Sequence, residues 1–218
     1  MLPRIFLDTA NVEEIYEAVS TGIVAGVATN PNKIRCAGRT YAQVISDIRS
    51  FFKGPVAVEA VSIKADDIVE EAKRLSDMSE NMCVKIPGNK EGVKAIARLV
   101  PMGIQTNATL IFSAGQALAA GLAGTAFISP FIGRVRDMGG DGLQHFRDIR
   151  AVYDAYQIKA CVIAASIKNS YDAIEAIKAG ADSLALTYGV FNQLFEHPLT
   201  NRGIESFAAD FQAIYPQA

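Results

Sequence analysis

Eight short runs rich in valine, isoleucine and alanine alternate along this chain with amphipathic stretches of roughly ten to fifteen residues. Such alternation is typical of repeated β-α units around a parallel sheet. Because no Pro/Ser-rich linker or charge block separates the units, we expect a single domain over residues 1–218. The predicted strands are 4–8, 23–30, 56–60, 82–86, 104–108, 126–130, 159–165 and 183–186.

Eight units in one domain favour a closed (β/α)8 TIM barrel. The alternative is an open, doubly wound sheet, which usually carries a glycine-rich phosphate loop after its first strand. Here the first strand is followed by "FLDTANVEE", which contains no glycine. The sequence therefore predicts the barrel. After the eighth strand we expect two more helices, and the extra C-terminal helix, at about 202–215, has apolar residues that we expect to pack on a neighbouring subunit.

The charge balance and the cysteine content indicate which partners and which cellular compartment to expect. The 21 basic and 23 acidic residues give a formal net charge of −2, which predicts neither a nucleic-acid nor a membrane partner. Three cysteines, far apart in the chain, indicate reduced thiols and a cytoplasmic protein. The N-terminus leads directly into a strand pattern, so no targeting segment is expected.

Polar residues stand at or just past the ends of most predicted strands. In a TIM barrel these ends converge on one face, where active sites lie. Single members have simpler explanations: Asp8 is also a candidate helix cap, and Asn30 before Pro31 is ordinary turn chemistry. The set comprises Asp8, Asn30, Glu59, Lys85, Asn107, Thr109, Ser129 and Ser166.

Lys85 lies in "MCVKIPGNK", inside a run that otherwise reads as a buried strand. A structural ion pair with Glu59 is one explanation, although such a pair rarely outweighs its desolvation. The other is chemistry, because lysines removed from water become partly neutral and attack carbonyls. The two histidines, His145 and His197, are not at strand ends, so a zinc-dependent route to carbon-carbon cleavage is not expected.

A phosphate site is predicted after the sixth and seventh strands. Arg134 offers a planar donor fork, while Ser166 and Lys168 add a hydroxyl and a point charge. For Arg134 or Arg136 taken singly, a solvated surface arginine is the alternative.

A series of motifs in chain order gives a more specific indication. The chain resembles the short-chain transaldolases, a group that also contains the fructose-6-phosphate aldolases. The resemblance covers nearly the whole length and rests on "FLDTAN" (6–11), "GVATNP" (26–31), "VAVEAVS" (56–62), "VKIPG" (84–88), "TNATLIFS" (106–113), "SPFIGR" (129–134), "ASIK" (165–168) and "HPLTNRGIESF" (197–207).

The resemblance implies a homo-oligomeric class I barrel enzyme of the non-oxidative pentose phosphate pathway, a pentamer or decamer, with neither metal nor organic cofactor. It implies that Lys85 forms the Schiff base and that Asp8 is the general acid/base for carbon-carbon cleavage. It also implies that Glu59 and Thr109 position a proton-relaying water. The residues it implies for binding the sugar-phosphate substrate are Asn30, Asn107, Ser129, Arg134, Ser166 and Lys168.

Two positions bear on the branch of this group. The aldolase branch tends to carry glutamine where Glu59 stands and tyrosine where Phe131 stands, so both residues favour a transaldolase. We expect transfer of a dihydroxyacetone unit from sedoheptulose 7-phosphate or fructose 6-phosphate to an aldose phosphate.

Two alternatives stay open beside that expectation. One is a fructose-6-phosphate aldolase that releases free dihydroxyacetone, and the other is a non-catalytic sugar-phosphate-binding barrel. The departures from the family pattern include Lys168, where many transaldolases have arginine, and the segment "LTYGVF" at 186–191.

Overall fold

The computed structural model describes residues 4–215, in which eight parallel strands close into one barrel in chain order. The eighth strand pairs with the first. The (β/α)8 fold predicted from the alternation is therefore confirmed. The strands are β1 Arg4–Asp8, β2 Val24–Ala28, β3 Val56–Glu59, β4 Met82–Pro87, β5 Gln105–Ile111, β6 Phe127–Pro130, β7 Cys161–Ala164 and β8 Ser183–Leu186.

Helices follow the strands around the outside of the barrel. Asn11, Ser113 and Asn169 each cap a helix, since their side chains accept backbone N–H groups of the first turn. The helices are α1 Val12–Ser20, α2 Pro31–Cys36, α3 Tyr41–Phe51, α4 Ala65–Ser76, α5 Lys90–Leu99, α6 Ala114–Leu122, α7 Ile132–Asp137, α8 Gly142–Ala155, α9 Ser170–Lys178, α10 Tyr188–Gln193 and α11 Pro198–Ile214, with a 3-10 turn at Val100–Met102.

Alternation along the strands separates two packed regions. On β4, Met82, Val84 and Ile86 belong to the core between barrel and helices, while Lys85 lines a cavity inside the barrel mouth. This division follows from the two-residue period of a strand.

Two aromatic rings pack against each other inside the barrel, below its mouth. The Phe6 ring packs edge to face against Phe127, with 5.9 Å between ring centroids. A Cβ atom at position 26 would lie 2.3 Å from the Phe6 ring, so Gly26 leaves the space that this ring occupies. Phe6 thereby becomes part of the floor of the cavity.

The last two helices, α10 and α11, were expected, but α11 begins four residues earlier than predicted. His197 caps it by accepting the Leu199 N–H at Nδ1, and Pro198 occupies the first turn, where a proline needs no donor. None of the residues of α11 that the structure describes is buried. Within residues 4–215, no helix has the length and apolarity needed to cross a bilayer.

Candidate active site

A cavity of about 580 Å³ opens at the carboxyl ends of the strands. All eleven residues proposed from the sequence line it, although they come from seven of the strands or the segments that follow them. The structure thus brings the predicted set together in one place. These residues are Asp8, Asn30, Glu59, Lys85, Asn107, Thr109, Ser129, Phe131, Arg134, Ser166 and Lys168.

Lys85 lies at paired positions with Glu59 on β3 and with Asn107 on β5. Its ammonium group donates to Glu59 Oε2 at 3.0 Å and to the Thr29 carbonyl at 3.2 Å. Only 7% of the residue is exposed. The lysine is therefore shielded from bulk water and held in one orientation, with its nitrogen at the cavity surface.

Asp8 ends β1 and lines the same cavity. Burial raises the pKa of its carboxyl, against the opposing charges of Lys85 and Lys33, and the Glu59 carboxylate adds to the increase. The capping alternative for Asp8 does not apply, because Asn11 caps α1. A carboxyl with a raised pKa in a cavity is suited to exchange protons with a ligand.

Asn107 and Thr109 extend the site along β5. The Ser129 hydroxyl donates to Asn107 Oδ1 at 2.9 Å, which orients the amide group. The Thr109 hydroxyl is fully buried and has no hydrogen-bond partner within residues 4–215. A buried hydroxyl left unpaired by protein is one that a bound polar ligand or water satisfies.

Asn30 combines both explanations that the sequence left open. Its Oδ1 accepts the Lys33 N–H at 3.1 Å and so caps α2, and the residue also lines the cavity. The cap places Lys33, which the sequence did not suggest, at the mouth beside Asp8. A lysine two residues past a proline carries no signal of its own in the sequence.

The candidate phosphate end lies between α7 and the segment after β7. Arg134 and Lys168 line the cavity, while Arg136 instead makes two hydrogen bonds of 2.8 Å to the buried Asp172 of α9. Both arginines are exposed, but Arg134 also lines the cavity and Arg136 joins two helices. Lys168 Nζ also lies 3.4 Å from Asp137 Oδ2.

Close packing shapes this end of the cavity. A Cβ at Gly133 would lie 2.0 Å from the Ser166 carbonyl oxygen, so only glycine allows α7 to approach so near. Ser166 itself has a left-handed backbone with φ of 60°.

Phe131 forms an aromatic wall with Phe112, their ring centroids 5.6 Å apart. The Arg134 guanidinium stacks 4.9 Å from the centroid of the Phe131 ring. This side of the cavity is apolar where Phe131 faces it and cationic beyond. It suits a ligand whose anionic group lies on the Arg134 side of the cavity.

Thr29 and Leu110, like Lys33, contribute without having been predicted. Thr29 acts through a backbone carbonyl, which residue type does not reveal, and its own hydroxyl donates to the Ala57 carbonyl at 2.9 Å. Leu110 lines the cavity although strand alternation would turn it outward. Among the residues from 4 to 215, no three His, Cys, Asp or Glu side chains are grouped so that they could hold a metal ion.

Comparison with known proteins finds similar sequences over nearly the whole chain. A family model described as Transaldolase/Fructose-6-phosphate aldolase matches residues 5–217. A protein of Carboxydothermus hydrogenoformans named "Probable transaldolase" is 45% identical over 211 residues, which cover 97% of this chain and 99% of that protein. A "Probable transaldolase" of Methanococcus maripaludis is 46% identical over 210 residues, covering 96% and 98%.

Comparison with solved structures gives information on the fold alone. A thiamine phosphate pyrophosphorylase from Pyrococcus furiosus matches with a TM-score of 0.58 at 17% identity, covering 86% of this chain and 87% of that one. At that identity the likeness concerns the barrel and not its chemistry.

Proposed function

Because this chain belongs to the transaldolase/fructose-6-phosphate aldolase family, we propose that it is a transaldolase that works through a Schiff base on Lys85. The observation that carries the proposal is a lysine only 7% exposed, held by Glu59 and Thr29 at the base of a polar cavity. The substrate is a ketose phosphate, sedoheptulose 7-phosphate or fructose 6-phosphate, and the pathway is the non-oxidative pentose phosphate pathway.

In the first half-reaction the neutral amine of Lys85 adds to the ketone carbonyl, and water leaves to form an iminium ion. Glu59 and Thr109 hold the water that carries protons between nitrogen and the departing oxygen. The Asp8 carboxylate then takes the proton of the C4 hydroxyl, and the C3–C4 bond breaks. Its electron pair moves to the iminium nitrogen, leaving an enamine and a free aldose phosphate.

In the second half-reaction the enamine attacks an acceptor aldose phosphate, Asp8 returns its proton to the new hydroxyl, and water releases the product ketose. The iminium itself is the electron sink, so the proposed chemistry requires neither a metal nor an organic cofactor. Asn30, Asn107 and Ser129 hold the hydroxyls of the three-carbon unit. Arg134, Ser166 and Lys168 hold the phosphate.

Transfer is favoured over release by the wall at Phe131. A hydroxyl at this position would be a proton donor for the enamine carbon, whereas the Phe131 ring, packed on Phe112, offers none. The enamine therefore waits for an acceptor aldehyde. The second candidate, a fructose-6-phosphate aldolase, would release dihydroxyacetone from fructose 6-phosphate with no acceptor present.

Borohydride trapping tests the central proposal. With fructose 6-phosphate, reduction should add the mass of a reduced three-carbon unit to the wild type and not to Lys85→Met. An equal adduct on both proteins would refute the assignment of Lys85. Parallel assays with and without erythrose 4-phosphate distinguish a transferase, which needs this acceptor for turnover, from a lyase, which does not. Binding of the sugar phosphate with neither turnover nor adduct would indicate the non-catalytic barrel.

The C-terminal helix supports a homo-oligomer. Ile204, Phe207, Phe211 and Ile214 recur at helical spacing in α11, and each is more than half exposed. We propose that this stripe packs on a second copy of the chain, in the pentamer or decamer that the resemblance implies. Sedimentation of Phe207→Asp beside wild type tests this, and an unchanged assembly would contradict it. The three free cysteines support a cytoplasmic setting.

A further inference from the structure

Strand β5 contains one residue more than its partner at the cavity. Ala108 pairs with Ile128 and Ile111 pairs with Pro130, so three steps along β5 match two along β6. Within this bulge Leu110 has φ of 56°. A left-handed backbone is uncommon for any residue with a side chain and is unfavourable for a bulky one. Strain of this kind concentrates at functional sites.

The left-handed residue changes which side chains face the cavity. In a regular strand Asn107, Thr109 and Ile111 would share one face, with Ala108 and Leu110 on the other. Instead Thr109 and Leu110 both line the cavity, and Ile111 joins Ala108 in the core between barrel and helices. Without the bulge, the Ile111 side chain would point into the space beyond Thr109.

The bulge also connects the two walls of the site. The Ile111 carbonyl accepts the Phe131 N–H at 3.1 Å, and the Thr109 carbonyl accepts the Gly88 N–H at 2.8 Å. These two bonds fix the ends of the irregular segment to the residue that follows β6 and to the residue that follows β4. Leu110 lies between the two accepting residues in the chain, next to Thr109, whose buried hydroxyl is unpaired by any described residue.

We infer that Leu110 is a positioning residue, whose left-handed backbone keeps the Ile111 side chain out of the cavity beside the Thr109 hydroxyl and holds Phe131 on the adjacent wall. The inference rests on the proposed function, in which Thr109 serves imine formation. It predicts that backbone conformation at position 110 matters more than side-chain volume.

Two substitutions separate these effects. Glycine adopts a left-handed backbone freely, so Leu110→Gly should form the imine within about threefold of the wild-type rate. Isoleucine keeps the apolar volume, but its branched Cβ disfavours this conformation, so Leu110→Ile should slow imine formation on the order of tenfold. Leu186→Ile, in the regular strand β8, is the matched control and should retain the wild-type rate.

The measurements are single-turnover imine trapping and crystal structures of both Leu110 variants. The opposite order, with isoleucine active and glycine slow, would overturn the inference in favour of side-chain packing. The structures decide independently of turnover. In Leu110→Gly the Ile111 side chain should stay in the core between barrel and helices, and in Leu110→Ile it should turn toward the cavity. An unmoved Ile111 in Leu110→Ile contradicts us. If wild type forms no imine, the proposed function fails while this structural arm still decides the positioning role.

Discussion

Lys85 Nζ lies 3.0 Å from Glu59 Oε2, and the two residues are direct neighbours on adjacent strands of the barrel. Both side chains are largely shielded, at 9% and 16% exposure. A pair so placed is seldom worth more to stability than apolar packing of the same volume. Its location in a cavity rather than in the outer core is better explained by the chemistry proposed for the lysine.

Glu59→Gln should slow imine formation by about 10²-fold, because glutamine retains the volume and an acceptor for Lys85 but cannot exchange a proton. Trapping with borohydride at successive times measures the rate of imine formation. Glu70→Gln, on the exposed face of α4, is the control and should behave as wild type. A Glu59→Gln enzyme with an unchanged rate would show that the carboxylate is merely structural.

The pH dependence of cleavage should reflect the ionisation of the Asp8 carboxyl. Its pKa is raised by burial, with Lys85 and Lys33 opposing and Glu59 adding to the effect, and cleavage requires the carboxylate. The rate should therefore rise with pH above the usual aspartate range. Lys33→Met removes one opposing charge, so the acidic limb of the kcat profile should move to higher pH.

Lys73→Met, an exposed lysine of α4, provides the comparison and should leave that limb in place. Movement of the limb to lower pH in Lys33→Met, or none at all, would contradict the role of Asp8.

Asp8 should also lower stability at neutral pH. A carboxyl whose pKa in the folded protein lies above its ordinary value of 3.8 binds its proton more tightly when folded. The stability this provides is present at low pH and is lost as the pH rises through the interval between the two pKa values. Asp8→Asn should therefore raise the urea midpoint at pH 7, while abolishing cleavage. At pH 3 the difference should shrink, and a difference that grew on acidification would count against this.

Lys168→Arg should strengthen phosphate binding. Lys168 Nζ shares its charge with Asp137 at 3.4 Å, whereas a guanidinium can offer two parallel donors to a phosphate. The KM for fructose 6-phosphate should fall roughly three- to tenfold, and Lys168→Met should raise it. Cleavage of unphosphorylated fructose should be unaffected in both variants. Equal changes for both sugars would place Lys168 outside the phosphate site.

Tyr153→Phe tests the scaffold apart from the site. The buried Tyr153 hydroxyl donates to the Ala117 carbonyl at 2.7 Å and so joins α8 to α6. Its removal should lower the free energy of unfolding by about 1–2 kcal/mol with kcat unchanged. Chemical denaturation gives the first quantity and steady-state assay the second. A loss of activity in the folded variant would indicate coupling between these helices and the cavity.

The boundaries that sequence reasoning missed have tertiary causes. Strand β5 was predicted over 104–108 but extends to Ile111, because pairing with β6 resumes after the bulge. Residues 23–30 were predicted as one strand, and only Val24–Ala28 are paired, since Asn30 already caps α2. In both places the local composition is compatible with a shorter or a longer strand. The neighbouring strand or helix determines where the strand ends.

The sequence by itself determined the barrel, the inward orientation of Lys85 and the set of polar residues at its mouth. Each depends on a local period, either two residues in a strand or the repeat of strand and helix, which one chain displays without its partners. Only the tertiary structure decided that the Thr29 carbonyl, 56 residues away, receives the Lys85 ammonium, and that Leu110 turns left-handed beside Thr109. These are contacts of backbone geometry between distant segments, and residue type carries no signal for them.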